Sequence, residues 1–211
     1  MVNRRYCFSL IPNSNLQFSL ARSTHLGITT VFQGDPYRFV AQSGLRNDSF
    51  AMMDVFSELN NGTVSTWFIS PEIDMSSTVT GSFYTRTTST FVKPDRMYVR
   101  YSTAGSSSNV GNTPDTLGDF TNPLLIINSA LSSNGYPNSW TLYTFTIPAR
   151  GTGVTGRVAF HYYVTEAGPF MTNGYTIGID TVTINANVIC NSTVFSTTTG
   201  TSMFIYAVFS Y

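Results

Sequence analysis

Six segments of this chain alternate apolar and polar residues with a period of two, and none sustains the apolar stripe of an amphipathic helix over three or four turns. They span 65–69, 79–85, 96–102, 140–147, 157–164 and 175–184, and each is rich in the β-branched and aromatic residues that suit a pleated surface. Within 96–102, Met97, Val99 and Tyr101 point one way and Arg96, Tyr98 and Arg100 the other, so one face is expected to be core and the other wet. Residues 51–59 read as a further strand. Turn signals separate the segments, among them Asn60, Asn61 and Gly62; Lys93, Pro94 and Asp95; Asn134, Gly135, Tyr136 and Pro137; and Asn173 with Gly174. Strands spaced this way predict an all-β fold, an antiparallel β-sandwich of the jelly-roll kind. The Ser-, Asn- and Gly-rich stretch 103–123 reads as a long loop, because strands resume after it with no change of composition.

The chain has 211 residues, and its 16 Phe, 12 Tyr and 2 Trp supply enough apolar area for one large β domain. That domain is expected over 29–187, between a signal-like extension at 1–28 and an apolar, Ser/Thr-rich tail at 188–211. Only 10% of the residues are charged, 11 basic against 11 acidic, where a soluble domain carries about 25%. In their place stand 25 Ser, 30 Thr and 16 Asn, with Lys93 the single lysine. Zero net charge and no basic run exclude a generic binder of nucleic acid or of anionic membrane, both of which need a positive patch. The start has Arg4, Arg5 and an apolar patch, but Pro12, Asn13, Asn15 and Gln17 interrupt the unbroken run a secretory signal needs. The apolar run 203–209 falls far short of the ~20 residues of a membrane span, so no transmembrane segment is expected. Cys7 and Cys190 are either bridged, which requires the ends to meet, or two unrelated thiols.

Catalysis needs ionisable groups brought together, and no pair stands out among the eleven carboxylates. No Gly-x-Ser-x-Gly elbow, P-loop, dinucleotide fingerprint or EF-hand loop is present. His25 stands far from any ligand spacing, and His161, inside a strand, is expected to be packed and hydrogen-bonded rather than a base. Aromatic rings in loops or at strand edges suit sugar docking, with Tyr37, Phe91, Tyr136 and Phe170 the candidates. Trp67 and Trp140 lie beside apolar neighbours and are expected in the core, while Tyr98 and Tyr162 read as a stripe on which another subunit could pack.

Several short motifs carry a resemblance over 31–185. They are Phe32 to Pro36 and Ala41 to Gly44; Trp67 to Asp74 followed by Gly81 to Arg86; Asp95 to Thr103; Asn109 to Gly111 and Gly118 to Phe120; Gly135 to Trp140; and Gly178 to Val182. In order and spacing they resemble the choice-of-anchor J family, itself similar to cleaved-adhesin and MAM-type jelly rolls. The resemblance implies a secreted or cell-surface β-sandwich without a shared catalytic activity. The chain departs from it at both ends, lacking a clear signal and a sorting motif. The resemblance also implies a structural calcium where the last strand meets the N-terminal segment. Asp180 matches the last-strand acid, Asp35 is the candidate partner, and Asp74 and Asp54 are reserves. The alternative is that Asp180 caps a strand end or pairs with an arginine such as Arg157.

The function expected from these observations is non-catalytic adhesion or recognition, with a glycan or a surface protein as partner. A self-assembling homo-oligomer that forms a fibre, surface layer or particle is the alternative, its apolar tail adding a strand to a neighbour, and a glycoside-active enzyme is third.

Overall fold

The computed structural model describes residues 19–21, 31–44, 46–55, 62–88, 93–168, 170–186 and 204–205, with the backbone alone at 19–21, 31–33 and 204–205. Twelve strands are present among them: β1 (Ser19–Ala21), β2 (Val31–Gln33), β3 (Ala51–Asp54), β4 (Gly62–Ile69), β5 (Ile73–Asp74), β6 (Val79–Thr87), β7 (Met97–Ser102), β8 (Asn122–Ile127), β9 (Thr141–Ile147), β10 (Thr155–Ala167), β11 (Thr176–Asn185) and β12 (Phe204–Ile205). One sheet runs β1-β4-β10-β7-β8 with β5 also on β10, and the other runs β2-β3-β11-β6-β9 with β12 also on β11. Every ladder is antiparallel, and the chain passes repeatedly from one sheet to the other, giving the β-sandwich of a jelly roll. No helix among the described residues is long and apolar enough to cross a membrane.

The six alternating segments coincide with β4, β6, β7, β9, β10 and β11. Burial alternates residue by residue along β6, where Val79 and Phe83 turn inward to meet Val99 of β7, Phe160 of β10 and Ile177 of β11 between the sheets. The longest strand missed from sequence is β8, whose run Asn122 to Ile127 holds a proline, and the short β1, β2 and β5 are missed with it. Pro123 lacks an N–H for the ladder and is tolerated because β8 is an edge strand whose register against β7 shifts at that point.

Both sheets are also covered on their outer faces. In β4 every residue from Val64 to Ile69 is buried, with Val64 and Phe68 in the inter-sheet core and Trp67 and Ile69 on the opposite side. The loop between β7 and β8 supplies the cover: Val110, Leu117 and Phe120 pack on Trp67, Ile69 and Ala159. On the second sheet the segment 34–50 does the same, stacking Phe39 on Phe50 at 5.0 Å with Trp140 edge-on to both. Gly178 of β11 makes room there, since a Cβ would lie 2.6 Å from Phe39 and 2.8 Å from Trp140. Trp67 is thus fully buried, but under a loop, and Trp140 is half-buried with its Nε1–H donated to the carbonyl of Val40.

One expectation is corrected by the register of β7 on β10. Tyr98 pairs with His161 and Met97 with Tyr162, so Tyr98 faces outward while Tyr162 lies in the core, and the two form no common stripe. Of the apolar tail, β12 pairs with β11 of its own chain. Cys7, Cys190, Phe91 and His25 lie outside the described residues.

At Gly156 of β10, a Cβ would sit 1.8 Å from the Ser102 carbonyl oxygen, a backbone atom that cannot yield without disturbing the β7 ladder. Gly156→Ala is expected to lower stability by about 2 kcal/mol or more, read as a reduced urea midpoint at an unchanged m-value.

Candidate functional site

Segments 93–96, 128–140 and 170–175 meet at the end of the sandwich where β6 stops and β7, β9 and β11 begin. They converge on Asp95, a carboxylate with no solvent exposure. Its Oδ2 accepts the Thr87 hydroxyl at 2.6 Å; its Oδ1 accepts the Tyr162 hydroxyl at 2.6 Å and the Tyr175 N–H at 2.8 Å. The backbone fastens the same loops: Asn128 Nδ2 donates to the Asp95 carbonyl, Gly174 N–H to the Pro94 carbonyl and Thr87 N–H to the Pro137 carbonyl. Burial pushes the Asp95 carboxyl up, against the pull of its hydrogen bonds, and the charge of nearby Asp54 pushes the same way. Asp54 itself accepts the Thr176 hydroxyl and faces the Arg38 guanidinium at 3.4 Å.

Beside this anchor opens a cleft of about 200 Å³. Thr87, Thr88, Lys93, Pro94 and Asp95 line one side and Ser133, Asn134, Tyr136, Pro137 and Asn138 the other. Tyr136 is 5% exposed, so it is part of the floor and not the exposed platform expected from sequence. Its ring belongs to the core and its hydroxyl meets Thr85 Oγ1 at 2.7 Å, which consumes the polar end of the side chain. Burial raises the Tyr136 and Tyr162 hydroxyls well above the usual range, so both remain protonated donors. Of the other candidate rings, Phe170 is 91% exposed on the loop whose Gly174 bonds Pro94, and Tyr37 is 98% exposed next to Arg38.

Hydroxyls and amides dominate the lining, with one ammonium and one carboxylate that is already committed. Such a surface can hydrogen-bond a neutral polyhydroxyl ligand; it does not set two carboxylates across a sugar as glycoside hydrolysis requires. His161 lies elsewhere, on the outer face of the first sheet. It is buried, stacks on Trp67 at 3.6 Å and has Nε2 2.9 Å from Ser65 Oγ, the packed role expected for it. Burial, and then the charges of Arg100 and Arg96, hold its pKa well below the ordinary value.

The acids named for calcium are occupied by donors, and two of them, Asp35 and Asp54, share Arg38. Asp180 accepts N–H bonds from Gln42 at 2.7 Å, Ser43 at 3.2 Å and Thr181 at 2.6 Å, dipoles turned against a cation. That clamp secures the 34–50 segment and a bulge in β11 where Thr181 takes a φ of 49°. Asp35 accepts the Tyr37 N–H and faces Arg38 at 3.6 Å, and Asp74, on the other sheet, accepts the Ser76 N–H. Among the described residues no three His, Cys, Asp or Glu come together to hold a metal. Asp180 lies in the middle of β11 and not at a strand end, where it collects backbone N–H groups, and Arg157 donates to the Ser70 and Ser106 carbonyls.

No family model matches the chain, and no curated protein matches it. Among solved structures it is similar to a cleaved adhesin domain of Lys-gingipain from Porphyromonas gingivalis, with 18% identity over 67% of this chain and 78% of that one and a TM-score of 0.45. It is also similar to a carbohydrate-binding module of the β-sandwich superfamily, with 10% identity over 78% of this chain and a TM-score of 0.40. This chain spans 54% of the length of that structure. These likenesses are of fold, and no site residue is carried across from them.

Removing the anchor by Asp95→Ala leaves the buried Tyr162 hydroxyl and the Tyr175 N–H without their acceptor, while Thr87 keeps the Thr176 carbonyl at 2.8 Å, and is expected to cost roughly 3 kcal/mol or more in urea unfolding. His161 governs a separate pH dependence. Its pKa is lower folded than unfolded, so stability is complete above about 6.5 and falls as pH drops from there toward the depressed value, by up to ~1.4 kcal/mol per pH unit. Asp95 works in the opposite sense at lower pH: its raised carboxyl adds stability as pH falls through its folded pKa toward about 3.9. Urea midpoints at pH 7.5, 6.5 and 5.5 should therefore decline in the wild type, and His161→Phe should remove that decline.

Proposed function

We propose that this protein is a non-catalytic recognition module, secreted or displayed at the cell surface, whose loop end holds a glycan. The observation that carries the reading is the cleft beside Asp95: a buried hydrogen-bond network fixes three loops around hydroxyl and amide groups, over the buried ring of Tyr136. Sugars are recognised by planar amides and hydroxyls on a pre-formed surface, because ordering a mobile site on binding costs affinity. Exposed Phe170 offers an aromatic face on a neighbouring loop. The nearly uncharged Ser/Thr/Asn surface agrees with a ligand of low charge in preference to a polyelectrolyte.

A second reading, association of identical copies, has one observation in its favour. The edge strands β8 and β9 carry Ile126, 45% exposed, and Leu142, 50% exposed, and low net charge permits close approach.

A glycan array probed with the wild type and with an Asn134→Ala/Asn138→Ala double variant tests the first reading. Binding to defined glycans is expected, weakened roughly tenfold or more in the variant at an unchanged melting temperature. An array without hits, or equal binding by the variant, overturns it. Sedimentation velocity over a range of concentrations would show the second reading as concentration-dependent oligomers.

A further inference from the structure

The outer face of β7 carries a guanidinium that no described carboxylate pairs with. Arg96, Tyr98 and Arg100 alternate onto that face, flanked by Ile126 of β8 on one side and by His161 and Tyr163 of β10 on the other. The Arg96 guanidinium lies 5.0 Å from the centre of the Tyr163 ring, and its Nε and Nη1 donate to the carbonyls of Tyr163 and Ser129. Arg100 is different. Its guanidinium lies 4.6 Å from the centre of the Tyr98 ring, its Nε is buried without an acceptor, and no described carboxylate or carbonyl accepts from its terminal nitrogens. Asp115, the acid on this face, accepts the Tyr163 hydroxyl at 2.6 Å. Ala159 stands opposite Arg100 across the β10 ladder, and Pro123 opposite it on β8, so neither neighbour brings a side-chain acceptor.

A half-buried guanidinium loses hydration, and burial lowers the pKa of Arg100 accordingly, a cost that a bound anion would offset. The positive field is small and local, two arginines in a chain with 10% charge, which suits one acidic group better than a polyanion. Arg96 also links this face to the 128–140 loop that walls the cleft, through Ser129.

We propose that Arg100, stacked on Tyr98, is an anion subsite for the carboxylate of an acidic sugar, a uronate unit of the bound glycan. This deepens the glycan reading by naming the ligand's chemical class. A planar carboxylate can accept two parallel bonds from a guanidinium already oriented by the aromatic ring.

The test is NMR titration of ¹⁵N-labelled protein with sodium D-glucuronate, with D-glucose and sodium sulfate as parallel arms. Glucuronate is expected to shift the Arg100 Nε–H and the backbone amides of Tyr98 and Arg100, while glucose leaves the Arg100 Nε–H unmoved. Arg100→Met, which keeps an apolar stem over the ring, should bind at least about tenfold more weakly at an unchanged melting temperature, with Arg100→Lys between the two. Equal response to glucose, or full glucuronate binding by Arg100→Met, overturns the proposal. Sulfate matching glucuronate at equal concentration overturns the sugar assignment, leaving an adventitious ion only. The Asn134→Ala/Asn138→Ala variant separates the two readings: if the glycan array is blank but this variant still shifts Arg100 with glucuronate, the cleft assignment fails and the subsite stands.

Discussion

Asp95 has no contact with water, and its carboxylate joins the two sheets, receiving Tyr162 from one and Thr87 and the chain entering β11 from the other. A buried carboxylate costs several kcal/mol unless each lone pair is met, so this network is stabilising only when complete. Completeness requires the strands to end at the right height and the three loops to approach at the right angle. The positions of Pro94, Asn128, Pro137 and Gly174 follow from that requirement, since their backbone or side-chain bonds secure the same turns. The cleft is the space left between loops fixed in this way.

The second organising feature is that a two-sheet sandwich here buries more than one core. Trp67 and Phe50 are fully buried outside the inter-sheet layer, each beneath a segment with little regular structure. The loop after β7 and the segment before β3 are therefore structural covers held by aromatic packing and, in the second case, by the Asp180 clamp on Gln42 and Ser43. Where these covers end on the first sheet, Tyr98, Tyr163 and their arginines remain partly exposed, which gives the outer face of β7 its different chemistry.

Much of the framework was legible from alternation alone, because a residue's face in a strand depends on its parity and on nothing distant. Parity does not relate one strand to another: Tyr98 and Tyr162 are both even-numbered, and only the register that sets Tyr162 opposite Met97 places them on opposite faces. The binding end was much less legible. Asp95 follows a proline in a turn signal, where an aspartate ordinarily sits in water, and only the approach of Tyr162 and Tyr175, far along the chain, makes it buried. The same holds for Asp180. A last-strand acid can hold a cation or collect N–H groups, and the choice lies with a segment nearly 140 residues upstream. Tyr136, between glycine and proline in a turn, gave no sign that its ring would reach the core.

Period-two patterning, the Gly, Asn and Pro punctuation and the scarcity of charge were enough to establish an all-β sandwich with a neutral polar surface, since each depends on local geometry and solvation. Which polar groups became buried anchors, which aromatics remained exposed and which arginine was left without a described acceptor were decided by tertiary structure. Those outcomes depend on distances between residues remote in sequence, and a hydrogen bond or an ion pair is made or lost within about an ångström.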